Sequence, residues 1–193
     1  MLNSHLALAC GWIIYGAVHS ILATSRVKLF FRETLGIQAA AYRIFYNILA
    51  FTGLAGLIWF QIKIDSIEFI RHSPGSKIAG YILGIGGLFI MISCIIKYFR
   101  QLSGLDKNMN GVLQVDGLHR FVRHPLYTGT FLFLLGLLCF FPLWKNLVAV
   151  FIIIGYTIYA SRFEEAKLIR QFGQAYIDYR LKVPAFLPGK KVF

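Results

Sequence analysis

The stretch PLYTGTFLFLLGLLCFFPLWKNLVAVFIIIGYTIYAS, residues 125–161, carries one charge, Lys145, in 37 residues. Crossing hydrocarbon as a helix takes about 20 apolar residues. Phe141-Pro142-Leu143-Trp144-Lys145 divides the stretch near its middle. That division is too short for a domain but long enough to reverse the chain. The reading is a hairpin of two transmembrane helices, 125–143 and 146–161, which returns both flanks to one membrane face. The flank before it is Gly117-Leu118-His119-Arg120-Phe121-Val122-Arg123-His124. The flank after it begins Arg162-Phe163-Glu164-Glu165 and continues to Phe172-Gly173-Gln174-Ala175-Tyr176-Ile177-Asp178-Tyr179. Two polar clusters, distant in sequence, are thereby gathered into one candidate active site.

The rest of the chain has the same character. It is 58% hydrophobic, with a mean hydropathy of +0.65, above the range of soluble domains. Three further apolar runs, at about 4–24, 43–61 and 78–98, bring the expected spans to about five. Lys97 falls at the very end of the third, where its stem can snorkel to the interface. The expectation is an all-α integral membrane protein, one membrane domain over 1–193, with its catalytic half at about 100–188. A C-terminal helical extension is expected to follow the last span and to close over the pocket between the two clusters. No charged region precedes the first run, so it does not read as a cleaved signal peptide.

A net charge of +12 raises the question of nucleic acid, and its distribution answers it. The segment between spans one and two carries +3, that between two and three +1, that between three and four +3, and the tail from Arg162 onward +4. Basic residues are thus richer in alternate segments, as the positive-inside rule requires for an outside N-terminus and a cytoplasmic C-terminus. The charge describes topology, not a nucleic-acid groove. A bacterial inner membrane is the expected location.

Cys10, Cys94 and Cys139 all fall inside expected spans and show no zinc-ligand spacing, so they read as small packing residues. Gly80, Gly84, Gly86 and Gly87 sit in an apolar helix rather than after a strand, which removes a dinucleotide-binding reading. Gly80 and Gly84, four apart, suit close helix packing. His19 is the one His well inside an expected span, and it reads as a neutral, hydrogen-bonded imidazole rather than a haem ligand. Segment 25–42 mixes Val27, Leu29, Phe30 and Phe31 with basic residues, as a helix lying at the interface does. Ser73-Pro74-Gly75-Ser76 reads as a turn. Segment 100–124, with Gly104, Gly111, Gly117, Asn108 and Asn110, reads as an irregular loop. The last helix is expected to continue past Ser161 through Tyr179, until Leu181-Lys182-Val183-Pro184 ends it.

Pro125 is a natural first residue for its helix, because the N–H that it lacks would be unpaired there anyway. Arg123 and His124 then stand at a helix N-terminus, where free N–H groups and the dipole favour an anion. Tyr127 lies one turn in. The plainer reading is an Arg-His pair anchoring to lipid phosphates. Glu164 and Glu165 are carboxylates beside a mainly basic face and suit a cationic or hydroxyl-bearing ligand. Their plainer reading is an ion pair such as Arg162 with Glu165, three residues apart. Phe172, Tyr176 and Tyr179 repeat at helical spacing and read as a packing face.

Taken together, Gly117, Arg123-His124-Pro125-Leu126-Tyr127, Gly129, Glu164-Glu165, Phe172-Gly173, Tyr176, Tyr179, Val183-Pro184 and Pro188 resemble the integral-membrane methyltransferases related to isoprenylcysteine carboxyl methyltransferase and phospholipid methyltransferase. The resemblance covers about residues 111–188. Trp12, His19-Ser20 and Tyr46-Asn47 are more similar to bacterial relatives, the thiol methyltransferases and NnrU-like proteins. It implies S-adenosylmethionine as methyl donor, with Leu113, His119, His124, Pro125, Leu126, Tyr127, Glu164 and Glu165 around it. Arg123 would neutralise the donor's carboxylate and the glutamates would bind its ribose or amine, making Arg123, His124 and Glu164 the catalytic set. His119 or His124 would serve as base for a neutral thiol or amine. The acceptor would be a hydrophobic or lipid-like small molecule entering from the bilayer, with no metal. Two positions depart from the family pattern: His119 stands where a Tyr is usual, and Ala160 where eukaryotic members place an Arg for a substrate carboxylate. Arg162, close by, is the candidate for contacting substrate. The competing classes are an NADPH-dependent reductase of the sterol-reductase type and a non-catalytic transporter or assembly protein. A transporter usually shows repeated halves or broken helices, and the sequence has neither.

Overall fold

The computed structural model describes residues 1–71, 73–102 and 112–189, apart from the side chains of 98–102. Among the described residues seven α-helices follow in order: α1 Leu2–Ala23, α2 Ser25–Glu33, α3 Ala39–Lys63, α4 Pro74–Leu102, α5 Pro125–Phe140, α6 Trp144–Phe172 and α7 Gln174–Lys182. A 3-10 turn, Gly117–Arg120, precedes α5. α1, α3, α4 over Pro74–Lys97, and α6 are long and apolar enough to cross a membrane. The remaining expected span, α5, is an apolar helix of 16 residues, about 24 Å long and therefore shorter than the others. Phe51, Phe89 and Phe151 are each more than two-thirds exposed, as side chains meeting lipid would be.

Three boundaries differ from the sequence reading for local reasons. Ser73 does not merely turn the chain. Its hydroxyl accepts from Ser76 N at 3.0 Å while Ser73 N donates to Ser76 Oγ at 3.1 Å, a reciprocal cap that starts α4 at Pro74. The expected loop at 100–124 includes regular structure, since α4 runs on to Leu102 and Gly117–Arg120 forms the 3-10 turn. Gly104, Asn108, Asn110 and Gly111 lie outside the described residues. The C-terminal helix is not continuous to Tyr179. Gly173 adopts φ 56 and ψ −131, a conformation open essentially to glycine alone, and separates α6 from α7.

The chain divides into two compact units, one of Met1–Ile70 with Pro142–Tyr156 and one of Arg71–Phe141 with Thr157–Phe193. In the first unit, Leu8 and Trp12 of α1 pack with Ala149 of α6. Polar side chains tie this unit together. Trp12 Nε1 donates to Gln61, which donates to Asn146 at 2.9 Å. Lys145 Nζ donates to the carbonyls of Ile62 and Ile64, satisfying acceptors at the end of α3. His19 meets the Tyr46 hydroxyl at 2.9 Å and stacks on Tyr15, a packing role as the sequence indicated.

In the second unit α4 and α5 pack antiparallel through glycines. A Cβ on Gly87 would lie 2.4 Å from Phe133 N and 2.6 Å from Gly129 O, and one on Gly136 would lie 2.4 Å from Gly84 N. The two backbones are in contact, which only residues without side chains permit. This fixes the start of α5, and hence His124 and Pro125, against the far half of α4.

Candidate active site

The chain after α7 runs back along the residues before α5. Arg123 N donates to Pro184 O at 2.8 Å and His124 N to Ala185 O at 3.0 Å. Thr128 Oγ1, one turn into α5, donates to Phe186 O at 2.7 Å. The Tyr179 hydroxyl donates to His119 O at 2.7 Å. The segment from Val183 is not helical, and its carbonyls supply the acceptors that hold the start of α5.

Within this clamp the two glutamates take different parts. Glu165 Oε1 accepts from Arg123 Nε at 2.8 Å and Nη2 at 2.5 Å, and lies 3.2 Å from His124 Nε2. Its other oxygen lies 3.5 Å from Arg180 Nε. The Arg123 and Glu165 side chains are 6% and 12% exposed, and Arg123 Nη1 donates to Val183 O and Arg180 O. Arg123 is therefore occupied as an internal brace rather than offered to an anion, and Glu165 is its counter-charge. Glu164 instead faces a cavity of about 360 Å³. Its Oε2 accepts from the Tyr127 hydroxyl at 3.0 Å and lies 3.7 Å from His124 Nδ1. The His124 ring sits between Tyr127 and Phe186, each stacked at 5.4 Å, so both its orientation and its two nitrogens are engaged.

The cavity lies wholly in the second unit. Pro125, Leu126, Tyr127, His124 and Arg123 line one side, and Val112, Leu113, Gln114 and His119 another. Glu164, Lys167 and Gln171 present one face of α6, with Tyr176 and Tyr179 of α7 beyond. Of the residues singled out in the sequence, Glu165 and Arg162 are the two that do not line it. Glu165 stands behind Arg123, and Arg162 is exposed on α6. Tyr176 and Tyr179 do pack, with Val183, as the spacing indicated, and they also border the cavity. Lys167 and Gln171 went unread, although counting three and seven residues on from Glu164 along one helix face finds both. Cys94, expected to pack, is 2% exposed and borders the cavity as well.

His119 and Tyr176 are among the groups here that are moved from their ordinary values. Burial, reinforced by nearby Lys97, pushes the His119 imidazole below its usual range against the opposing pull of Asp116. Burial and the Glu165 carboxylate push the Tyr176 phenol up to about 12, although Arg123 opposes them. Tyr176 is 1% exposed, and its hydroxyl forms no well-aligned hydrogen bond among the described residues. Such a group costs about 1–3 kcal/mol unless something pairs with it.

A helix start and a glutamate-bearing helix thus surround one cavity in an all-helical protein with long apolar helices. The family model described as phospholipid methyltransferase matches residues 76–175, and the chain belongs to that family. With its four long apolar helices it is an integral membrane protein. It is 34% identical over 94 residues to protein-S-isoprenylcysteine O-methyltransferase of Schizosaccharomyces pombe, covering 47% of this chain and 39% of that one. It is 25% identical over 191 residues to methanethiol S-methyltransferase of Pseudomonas deceptionensis, covering 91% and 70%. With the Xenopus laevis protein-S-isoprenylcysteine O-methyltransferase it shares 28% over 150 residues, covering 67% and 47%. The chain thus spans less than half the length of these two isoprenylcysteine relatives. No solved structure matches it significantly.

Proposed function

We propose that this chain is a membrane-embedded, S-adenosylmethionine-dependent methyltransferase acting on a hydrophobic or lipid-like small acceptor. The observation that carries the reading is Glu164, held by Tyr127 over a cavity at the start of α5 and backed by the Arg123–Glu165 brace. The residues fit the donor. Pro125, Leu126 and Leu113 offer apolar surface to a nucleoside, and Glu164 accepts from its ribose or amine. When bound, the donor supplies an electrophilic methyl on a sulfonium. The protein's task is then to position and to exclude water. His124, with both nitrogens facing glutamates, orients Glu164 and Glu165. His119, whose imidazole is held below its ordinary pKa by burial, accepts the proton of a neutral acceptor.

A thiol is the favoured acceptor, because the methanethiol methyltransferase alignment runs over 91% of the chain. Ala160, where eukaryotic members carry the carboxylate-binding Arg, speaks against a prenylcysteine carboxylate. The alternating basic segments support a cytoplasmic C-terminus and an outside N-terminus in a bacterial inner membrane. Calorimetry on the detergent-purified chain tests the reading with S-adenosylhomocysteine, the demethylated donor, against NADPH. Saturable S-adenosylhomocysteine binding that is lost in Glu164→Ala is expected. NADPH binding in its place, or silence from both, would overturn it.

A further inference from the structure

A donor with an amino-acid end brings a carboxylate and an ammonium into the cavity, and each needs a counter-charge there. Among the described residues, the Lys and Arg side chains that line the cavity are Arg123 and Lys167. Arg123 is already neutralised: Glu165 takes its Nε and Nη2, and two backbone carbonyls take Nη1. Lys167 is exposed and pairs with no carboxylate among the described residues. It follows Glu164 by three residues on α6, about 4.5 Å along the helix axis. An acidic and a basic residue at that spacing commonly pair with each other. Here Glu164 turns to the Tyr127 hydroxyl and His124 instead, so the cavity presents an anion and a cation side by side without mutual neutralisation. That arrangement complements a zwitterion whose two charges sit on one carbon.

Resting on the methyl-donor reading above, we infer that Lys167 binds the carboxylate of the donor's amino-acid end while Glu164 meets its ammonium. This sets the direction in which the donor lies. Its amino-acid end is at the α6 face of Glu164 and Lys167, and its nucleoside is toward Leu113, Pro125 and Leu126. It also moves the anion-binding role from Arg123, to which the sequence pointed, to a residue one helical turn beyond Glu164. Arg123 retains a bracing role.

The test measures affinities on the full chain in detergent for S-adenosylhomocysteine and for its decarboxylated analogue, which keeps the amine, thioether and nucleoside. Lys167→Met is expected to weaken S-adenosylhomocysteine about tenfold, as for one charge-assisted pair, and to leave the decarboxylated analogue within about twofold. Lys167→Arg should retain most of the affinity. Arg170→Met removes the same charge from α6 outside the cavity and should change neither ligand, which separates a local contact from the general field of a basic protein. Equal weakening of both ligands by Lys167→Met, or an unchanged affinity for S-adenosylhomocysteine, would overturn the assignment and leave the donor reading intact. A wild-type chain that binds no S-adenosylhomocysteine would overturn both.

Discussion

Glu164 and Glu165 are adjacent in sequence yet differ in what their loss should do. Glu165 balances a guanidinium that is 6% exposed. Removing one partner of a buried pair strands the other charge and costs about 3–5 kcal/mol. Glu165→Ala should therefore lower the thermal midpoint in detergent sharply. The double variant Arg123→Met with Glu165→Met should lose less than the two single changes combined. Glu164 is 48% exposed at its side chain, and Glu164→Gln should leave the midpoint nearly unchanged while abolishing S-adenosylhomocysteine binding. Reversed phenotypes would exchange the two roles. The meeting of the tandem glutamates with the Arg123-His124-Pro125 run was legible in the sequence. Their division of labour was not, because consecutive helical residues point about 100° apart, and only the packed neighbours decide which of them faces the cavity.

His119 gives the site a pH dependence whose sign follows from burial. Its pKa in the fold lies below that of the unfolded chain, so protonation favours unfolding. The stability that it contributes is complete above about pH 6.5, the unfolded imidazole value. It declines as pH falls from there through the lower folded value. The thermal midpoint measured from pH 7.5 to 5 should fall less steeply in His119→Gln than in the wild type. Parallel profiles would remove His119 as the responsible group.

Helices and their junctions depend on glycine in two physically distinct ways. At Gly87 an added Cβ would meet the backbone of α5 at 2.4 Å. Gly87→Ala must push two helices apart, costing about 1–3 kcal/mol as overpacking does and shifting the start of α5. Gly173 has open space around its missing Cβ but a φ of 56, so Gly173→Ala carries torsional strain of about 1–2 kcal/mol without a clash. Circular dichroism melts and S-adenosylhomocysteine affinity should separate them. Gly87→Ala is expected to weaken both stability and binding. Gly173→Ala is expected to act chiefly on stability, by loosening α7. Equal effects would mean that α4–α5 contact does not position the site. Hydropathy located every long helix, because apolar runs survive any packing arrangement. The break at Gly173 escaped a propensity reading because the helix formers on either side of it, Ile169 to Phe172 and Gln174 to Tyr179, outweigh one glycine.

Across the whole molecule, the glutamate cavity and the N-terminal helices fall into different parts of the chain. The family match spans 76–175, and every residue lining the glutamate cavity belongs to the unit of Arg71–Phe141 with Thr157–Phe193. The other unit carries its own cleft of about 250 Å³ between α1 and α3, bordered by Tyr15, His19 and Tyr46. His19 is bonded to Tyr46 and stacked on Tyr15 there. His19→Leu removes that bond and strands the Tyr46 hydroxyl, at a cost of about 1–3 kcal/mol. His19 is not among the residues that line the glutamate cavity. The variant's thermal midpoint should therefore fall while its affinity for S-adenosylhomocysteine stays within about twofold of wild type. A large loss of affinity in a variant that still folds would mean that the α1–α3 cleft and the donor cavity are energetically coupled, and that the donor site is not a property of one unit.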